Sequence, residues 1–162
     1  MNKQEVYDYL TENNVEFEVT EHKAVYNMAE LDDVHFPHPE FIAKNLFIRD
    51  DKKRNYYLIT VKGDKRVDLK SFRQHYCTRP LTLASEDDLN AMLSLEAGSV
   101  TPLGLLNDAE HKVKLFIDND FFTEPYIIGV HPNENTATVW LSPVDLVNLL
   151  TKYGAIVEKV RI

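Results

Sequence analysis

Phe47-Ile48-Arg49-Asp50-Asp51-Lys52-Lys53-Arg54-Asn55-Tyr56-Tyr57-Leu58-Ile59-Thr60-Val61 places two apolar runs on either side of a charged stretch. The flanks are rich in aromatic and β-branched residues, which suit a pleated, buried surface, and the centre has nothing to bury. The stretch therefore predicts strand, hairpin turn, strand. The same pattern returns later. Tyr126-Ile127-Ile128-Gly129-Val130 and Thr136-Ala137-Thr138-Val139-Trp140-Leu141 read as two strands joined by a turn over 131–135. Val15, Phe17 and Val19 alternate with Glu16, Glu18 and Thr20, the period of a half-buried strand. Short strands are also expected at 81–84, 113–118 and 156–160.

Helices fall between these strands. Val6, Tyr9 and Leu10 recur at helical spacing, and Asn27-Met28-Ala29-Glu30-Leu31 reads as a short capped helix. A helix is expected over 68–74. Ser85-Glu86-Asp87-Asp88 opens another, running to about Leu93, and Ser142-Pro143 opens the last, ending near Gly154. Pro37 and Pro39 mark 32–40 as a loop. Strands in adjacent pairs with helices between them predict a single mixed α/β domain over 1–162. Its central, largely antiparallel sheet would be flanked by helices, unlike a doubly wound parallel sheet.

The 162 residues are 44% hydrophobic and 10% aromatic, enough for one core. No apolar run approaches the roughly 18 residues of a membrane span, and no signal peptide is expected. The single cysteine, Cys77, cannot form an internal disulfide, in keeping with a reducing cytosol. A cytoplasmic protein is expected. The net charge of −8 argues against DNA as a partner. Yet Lys62, Lys65, Arg66, Lys70, Arg73 and Arg79 face only Asp64 and Asp68 within 62–79. That segment is either a solvated face or a patch for a polyanion. Without a Gly-x-Gly-x-x-Gly or phosphate-loop motif, no nucleotide cofactor is expected. His35 and His38 lack partners at ligand spacing, so no metal is expected either.

Two loops are expected to carry the chemistry. Gly98-Ser99-Val100-Thr101-Pro102-Leu103-Gly104-Leu105-Leu106-Asn107-Asp108 reads as a turn whose backbone amides face a ligand. Gly129-Val130-His131-Pro132-Asn133-Glu134-Asn135-Thr136-Ala137-Thr138 sets a histidine in a polar turn after an apolar run. With Ala43-Lys44-Asn45-Leu46-Phe47 and Gly63-Asp64-Lys65-Arg66-Val67-Asp68-Leu69-Lys70, these loops resemble the YbaK/prolyl-tRNA-synthetase-associated family. Within it the match is to the free-standing prolyl-tRNA deacylases, over about residues 6–162.

Alone, Lys44 reads as a surface lysine whose stem lies along the core. The alternative is a point charge aimed at a phosphate or an oxyanion, and the resemblance favours it. The resemblance further implies catalytic roles for Asn45, Gly98, Thr101, Pro102 and His131. His22, Val25, Tyr26, Ser99, Val100 and Gly129 would line the aminoacyl pocket, with core packing an equal reading of His22, Val25 and Tyr26, and Lys65, Arg66, Lys70 and Arg73 would follow the tRNA acceptor stem. The implied activity is hydrolysis of the ester in mischarged tRNA, alanine on proline tRNA above all, with the terminal ribose hydroxyl taking part. Cysteine on proline tRNA is the alternative substrate, and a non-catalytic module binding tRNA or a synthetase the alternative class. The implied partner is the acceptor end of proline tRNA; prolyl-tRNA synthetase stays open as a second. Val130 stands where relatives carry an aromatic residue, which leaves side-chain selectivity open.

Overall fold

The computed structural model describes residues 1–24 and 35–162; the helix expected from Asn27 lies outside the described residues. Helix α1, Lys3–Glu12, begins at Asn2, which accepts the Glu5 amide while the Glu5 carboxylate accepts the Asn2 amide. This reciprocal cap satisfies two donors that the first turn leaves open. Val6 and Leu10, one turn apart, are its buried face.

The described strands form two sheets. In the smaller, the order is β1 (Phe17–Glu21), β7 (Ala137–Leu141), β6 (Ile128–Val130), antiparallel throughout. The larger runs β4 (Leu81–Leu83), β2 (Ala43–Asp50), β3 (Tyr56–Lys62), β5 (Val113–Asp118), β8 (Val157–Val160). There β2 pairs antiparallel with β3 and β4, whereas β3–β5 and β5–β8 are parallel. The mixed α/β class with mainly antiparallel pairing is as expected, but the strands divide between two sheets. Parallel neighbours need long crossovers. The connection from β3 to β5 carries α2 (Leu69–Tyr76), β4 and α3 (Glu86–Leu93), and that from β5 to β8 carries β6, β7 and α4 (Pro143–Tyr153).

The larger sheet is buried on both faces. Phe47, Leu58, Leu115 and Ile117 enter the main core with α1, α3, α4 and Trp140. Their neighbours Ile48, Ile59 and Phe116 point the other way and pack under Phe72 of α2. This is period-two alternation with apolar residues on both sides, so β3 reads as a continuous apolar run. At the turn into β3, Asp50 accepts the amides of Lys52 and Arg54 and the Asn55 side chain. Burial pushes its carboxyl up, but these donors outweigh burial and hold its pKa below the usual carboxylate range.

The two sheets meet where Ile42, just before β2, pairs in parallel with Gly129 of β6. The Ile42 carbonyl also accepts the Gly63 amide at 2.9 Å. Lys44 and His131 each lie two residues beyond this bridge, on adjoining segments.

Candidate active site

Lys44 is half-buried on β2 opposite Val61, and its Nζ donates to the Lys65 carbonyl at 3.4 Å. An ammonium has three donors, so this contact leaves donors for a ligand. Asn45 sits opposite Thr60, whose hydroxyl donates to Asn45 Oδ1 at 2.6 Å. Thr60 is fully buried, which fixes the Asn45 amide, and its Nδ2 has no partner among the described residues.

The loop from Gly98 is tighter than the sequence suggests. Gly98 takes φ +88°, where a side chain is strained. The Ser99 amide is used by Glu96 O, and those of Leu103 and Gly104 by the hydroxyl and carbonyl of Thr101. Pro102 begins a 3-10 helix, Pro102–Asn107, which Thr101 caps and which is almost wholly buried. The amides at 99, 103 and 104 are therefore spent inside the fold. Among the described residues, those of Gly98, Val100 and Thr101 take no partner. Thr101 ties the two loops together: its hydroxyl donates to the His131 carbonyl at 2.7 Å.

His131 Nδ1 lies 3.0 Å from the Ala137 carbonyl. A carbonyl can only accept, so Nδ1 carries the proton and Nε2 of the neutral ring presents a lone pair. Burial holds its pKa below the ordinary histidine value; the Ala137 carbonyl opposes this and nearby His22 adds to it. The His22 ring stands 6.2 Å from that of His131. His22 Nδ1 lies 2.8 Å from the Lys23 carbonyl and Nε2 3.0 Å from the Thr138 hydroxyl. By the same logic its Nδ1 carries a proton. Phe36 meets the His22 ring edge-on and continues to Trp140. Val25 and Tyr26 lie outside the described residues.

Gly129 has a steric duty. A Cβ there would lie 2.7 Å from the Trp140 ring, which is 2% exposed. Trp140 is also fixed through Nε1, which donates to Thr20.

Within the basic segment, Arg66, Lys70 and Arg73 are exposed and in no ion pair among the described residues. Lys70 and Arg73 stand one turn apart on α2. Beside them a groove of about 250 Å³ runs between Arg66, His75 and Arg161. Lys65 differs from its neighbours. Its Nζ lies 2.7 Å from Asp118 and 2.6 Å from Asp120, and donates to the Ile162 carbonyl at 3.2 Å. Burial pulls its pKa down, but the two carboxylates outweigh burial and raise it. Its charge is compensated inside the fold, unlike the stem-facing role expected for it. Arg79 is likewise paired, with Asp51. Asp118 and Thr138 escaped the sequence reading, because their partners are distant in the chain.

Comparison with known proteins gives the family. A family model described as the aminoacyl-tRNA editing domain matches residues 22–149. The prolyl-tRNA editing protein ProX of Acetoanaerobium sticklandii is 36% identical over 152 residues, covering 94% of this chain and 92% of its own. The prolyl-tRNA synthetase associated domain-containing protein 1 of Danio rerio is 31% identical, with 91% of this chain and 80% of its own covered. The crystal structure of a provisionally assigned trans-editing enzyme for prolyl tRNA synthetase superposes with TM-score 0.69 at 20% identity, covering 99% of this chain and 96% of its own. That of a hypothetical protein reaches 0.71 at 21% identity, covering 98% and 99%. These two structures establish the likeness of fold, and the family match with the 36% relative establishes kinship: the chain belongs to the aminoacyl-tRNA editing domain family.

Proposed function

We propose that this chain, as one editing unit over 1–162, is a cytoplasmic trans-editing hydrolase that removes alanine from mischarged proline tRNA. The observation that carries the reading is the junction of three motifs. The Ile42–Gly129 bridge sets Lys44 and His131 on adjoining segments, and the Thr101 hydroxyl joins the 98–102 loop to His131. The ProX relative's name supplies the substrate class.

In this reading water adds to the ester carbonyl carbon, and the carbonyl oxygen takes the negative charge. The amide of Val100, half-buried and without a partner among the described residues, receives that oxyanion, with no reorganisation at the moment of reaction. The bond from carbon to the ribose oxygen then breaks, and the proton lost by water ends on that oxygen. The neighbouring ribose hydroxyl assists the transfer. Lys44 places its charge at the terminal phosphate or ribose, and Asn45 holds a ribose hydroxyl. His131 accepts a hydrogen bond from the substrate's amino group through Nε2. Arg66, Lys70 and Arg73 contact acceptor-stem phosphates, which position the tRNA without reading bases.

A synthetase pocket built for proline rejects a smaller residue by only about 1–3 kcal/mol, so a second sieve is needed. Deacylation of proline tRNA charged in turn with alanine, cysteine, serine and proline tests the reading. Alanine should be released fastest and proline spared. Preferred release of cysteine would overturn the substrate, and release of none would overturn the activity.

A further inference from the structure

The Lys65 ammonium is paired with two carboxylates, and its carbonyl is the group that holds Lys44. The Lys44 ammonium donates to the Lys65 carbonyl at 3.4 Å. The Lys65 ammonium in turn lies against Asp118 and Asp120 at 2.7 and 2.6 Å. The Asp118 side chain is 1% exposed. Its Oδ1 accepts the Asp120 amide at 3.0 Å, while the buried Oδ2 meets the Lys65 ammonium as an ion pair and takes no hydrogen bond among the described residues. Asp118 also closes β5, whose register against β3 is set by backbone pairing up to Thr60 and Ile117. The segment over 63–65 leaves β3 and has few ties of its own: the Gly63 amide to Ile42 and the Lys65 amide to the Lys62 carbonyl. Its far end is anchored by the Lys65 side chain.

We propose that Lys65, clamped by Asp118 and Asp120, is a positioning residue that sets the Lys44 ammonium by fixing the carbonyl it donates to. The chain of contacts runs from the end of β5 through an ion pair and one backbone carbonyl to the reacting end. A buried carboxylate needs its lysine, because removing either partner leaves a buried charge uncompensated, and this pair therefore holds the Lys65 side chain in place. The consequence is that Lys65 acts on turnover without touching tRNA, whereas its sequence neighbours Arg66, Lys70 and Arg73 act on binding.

The proposal rests on the reading of Lys44 as the catalytic cation, and the test separates the two. Single-turnover hydrolysis of alanine-charged proline tRNA is measured for the parent, Lys44→Ala, Lys65→Met, Lys65→Arg and Asp118→Asn. The double variant Lys44→Ala/Lys65→Met is measured beside them. A displaced reacting group can cost on the order of a hundredfold. Lys65→Met and Asp118→Asn should therefore lower kcat by about tenfold to a hundredfold with KM for tRNA little changed. Lys65→Arg, which can span both carboxylates, should recover most of the loss. The double variant should be no slower than Lys44→Ala alone. Asp118→Asn, which keeps its shape and can still accept the Asp120 amide, decides the matter should Lys65→Met not fold.

Parental kcat in a folded Lys65→Met or Asp118→Asn, with Lys44→Ala inactive, would overturn the positioning role and leave Lys44 standing. A raised KM and a flatter salt dependence with kcat intact would also overturn it and return Lys65 to the tRNA surface. Parental turnover in Lys44→Ala would instead remove the catalytic reading of Lys44, whatever the Lys65 variants do.

Discussion

Gly129→Ala is the sharpest probe of the junction between the sheets. The added methyl carbon would stand 2.7, 2.9 and 3.0 Å from three atoms of the Trp140 ring. Carbon atoms in contact prefer about 3.5–4.0 Å, so the ring or the strand must move by about 1 Å. The ring has little freedom. It is 2% exposed, its Nε1 donates to Thr20 at 3.0 Å, and Phe36 and His38 meet its edges with centroids 6.0 and 5.9 Å away. Overpacking costs about 1–3 kcal/mol, and losing the indole hydrogen bond about 1 kcal/mol more. The stiffer unfolded chain returns about 0.4–1 kcal/mol. A net loss of about 2–3 kcal/mol lowers Tm by roughly 4–12 °C at this chain length. Thermal unfolding by circular dichroism measures this. Trp140 is the single tryptophan, so its emission reports ring displacement directly. Turnover should fall as well, because His131 lies two residues beyond the strained position. A variant with parental Tm and unchanged emission would refute the reasoning, since the indole would then have room that the packing denies it.

Lys44→Ala should fold with a parental Tm and lose about 2–4 kcal/mol of transition-state stabilisation, read as a fall in kcat; full turnover would make it a packing lysine. The lowered pKa of His131 sets a pH dependence. Its charged form is disfavoured in the fold, so this group leaves stability untouched above its ordinary value near 6.5 and erodes it as pH falls from there through the lowered folded value. The kcat/KM profile should show an acid limb with a midpoint below 6.5 that His131→Asn abolishes; a limb surviving in the variant would assign it to another group. Arg66→Ala/Arg73→Ala should weaken tRNA binding and reduce the slope of log K against log salt by about 1.5. An unchanged slope would place the acceptor stem on another surface.

The elements with local signals were legible in the sequence. Ser85 and Ser142 cap their helices as their side chains allow, and the Asp50 turn joins β2 and β3 at the expected place. β5 spans the expected 113–118, because its apolar run is bounded by polar residues on both sides. What escaped was set by tertiary partners. The 98–104 stretch has the composition of an open loop, but Leu103, Leu105 and Leu106 draw it into the core as a 3-10 helix. The division into two sheets depends on which strands meet after long connections, which periodicity does not encode. Lys65 looked like its basic neighbours until β5 brought Asp118 beneath it. The sequence resemblance marked Lys44, the 98–102 loop and His131, but not the bridge and hydroxyl that bring them to one place.

That bridge has an evolutionary reading. Lys44 belongs to one sheet and His131 to the turn that leaves the other, and the sheets adjoin through Ile42 and Gly129. Substitutions within either sheet that keep its own pairing leave the spacing of the two groups alone. Each half is then free to diverge around a common seam by repacking its outer face. The tightly constrained positions are small ones at the seam, above all Gly129, which bears no functional group yet sets the gap between two that do.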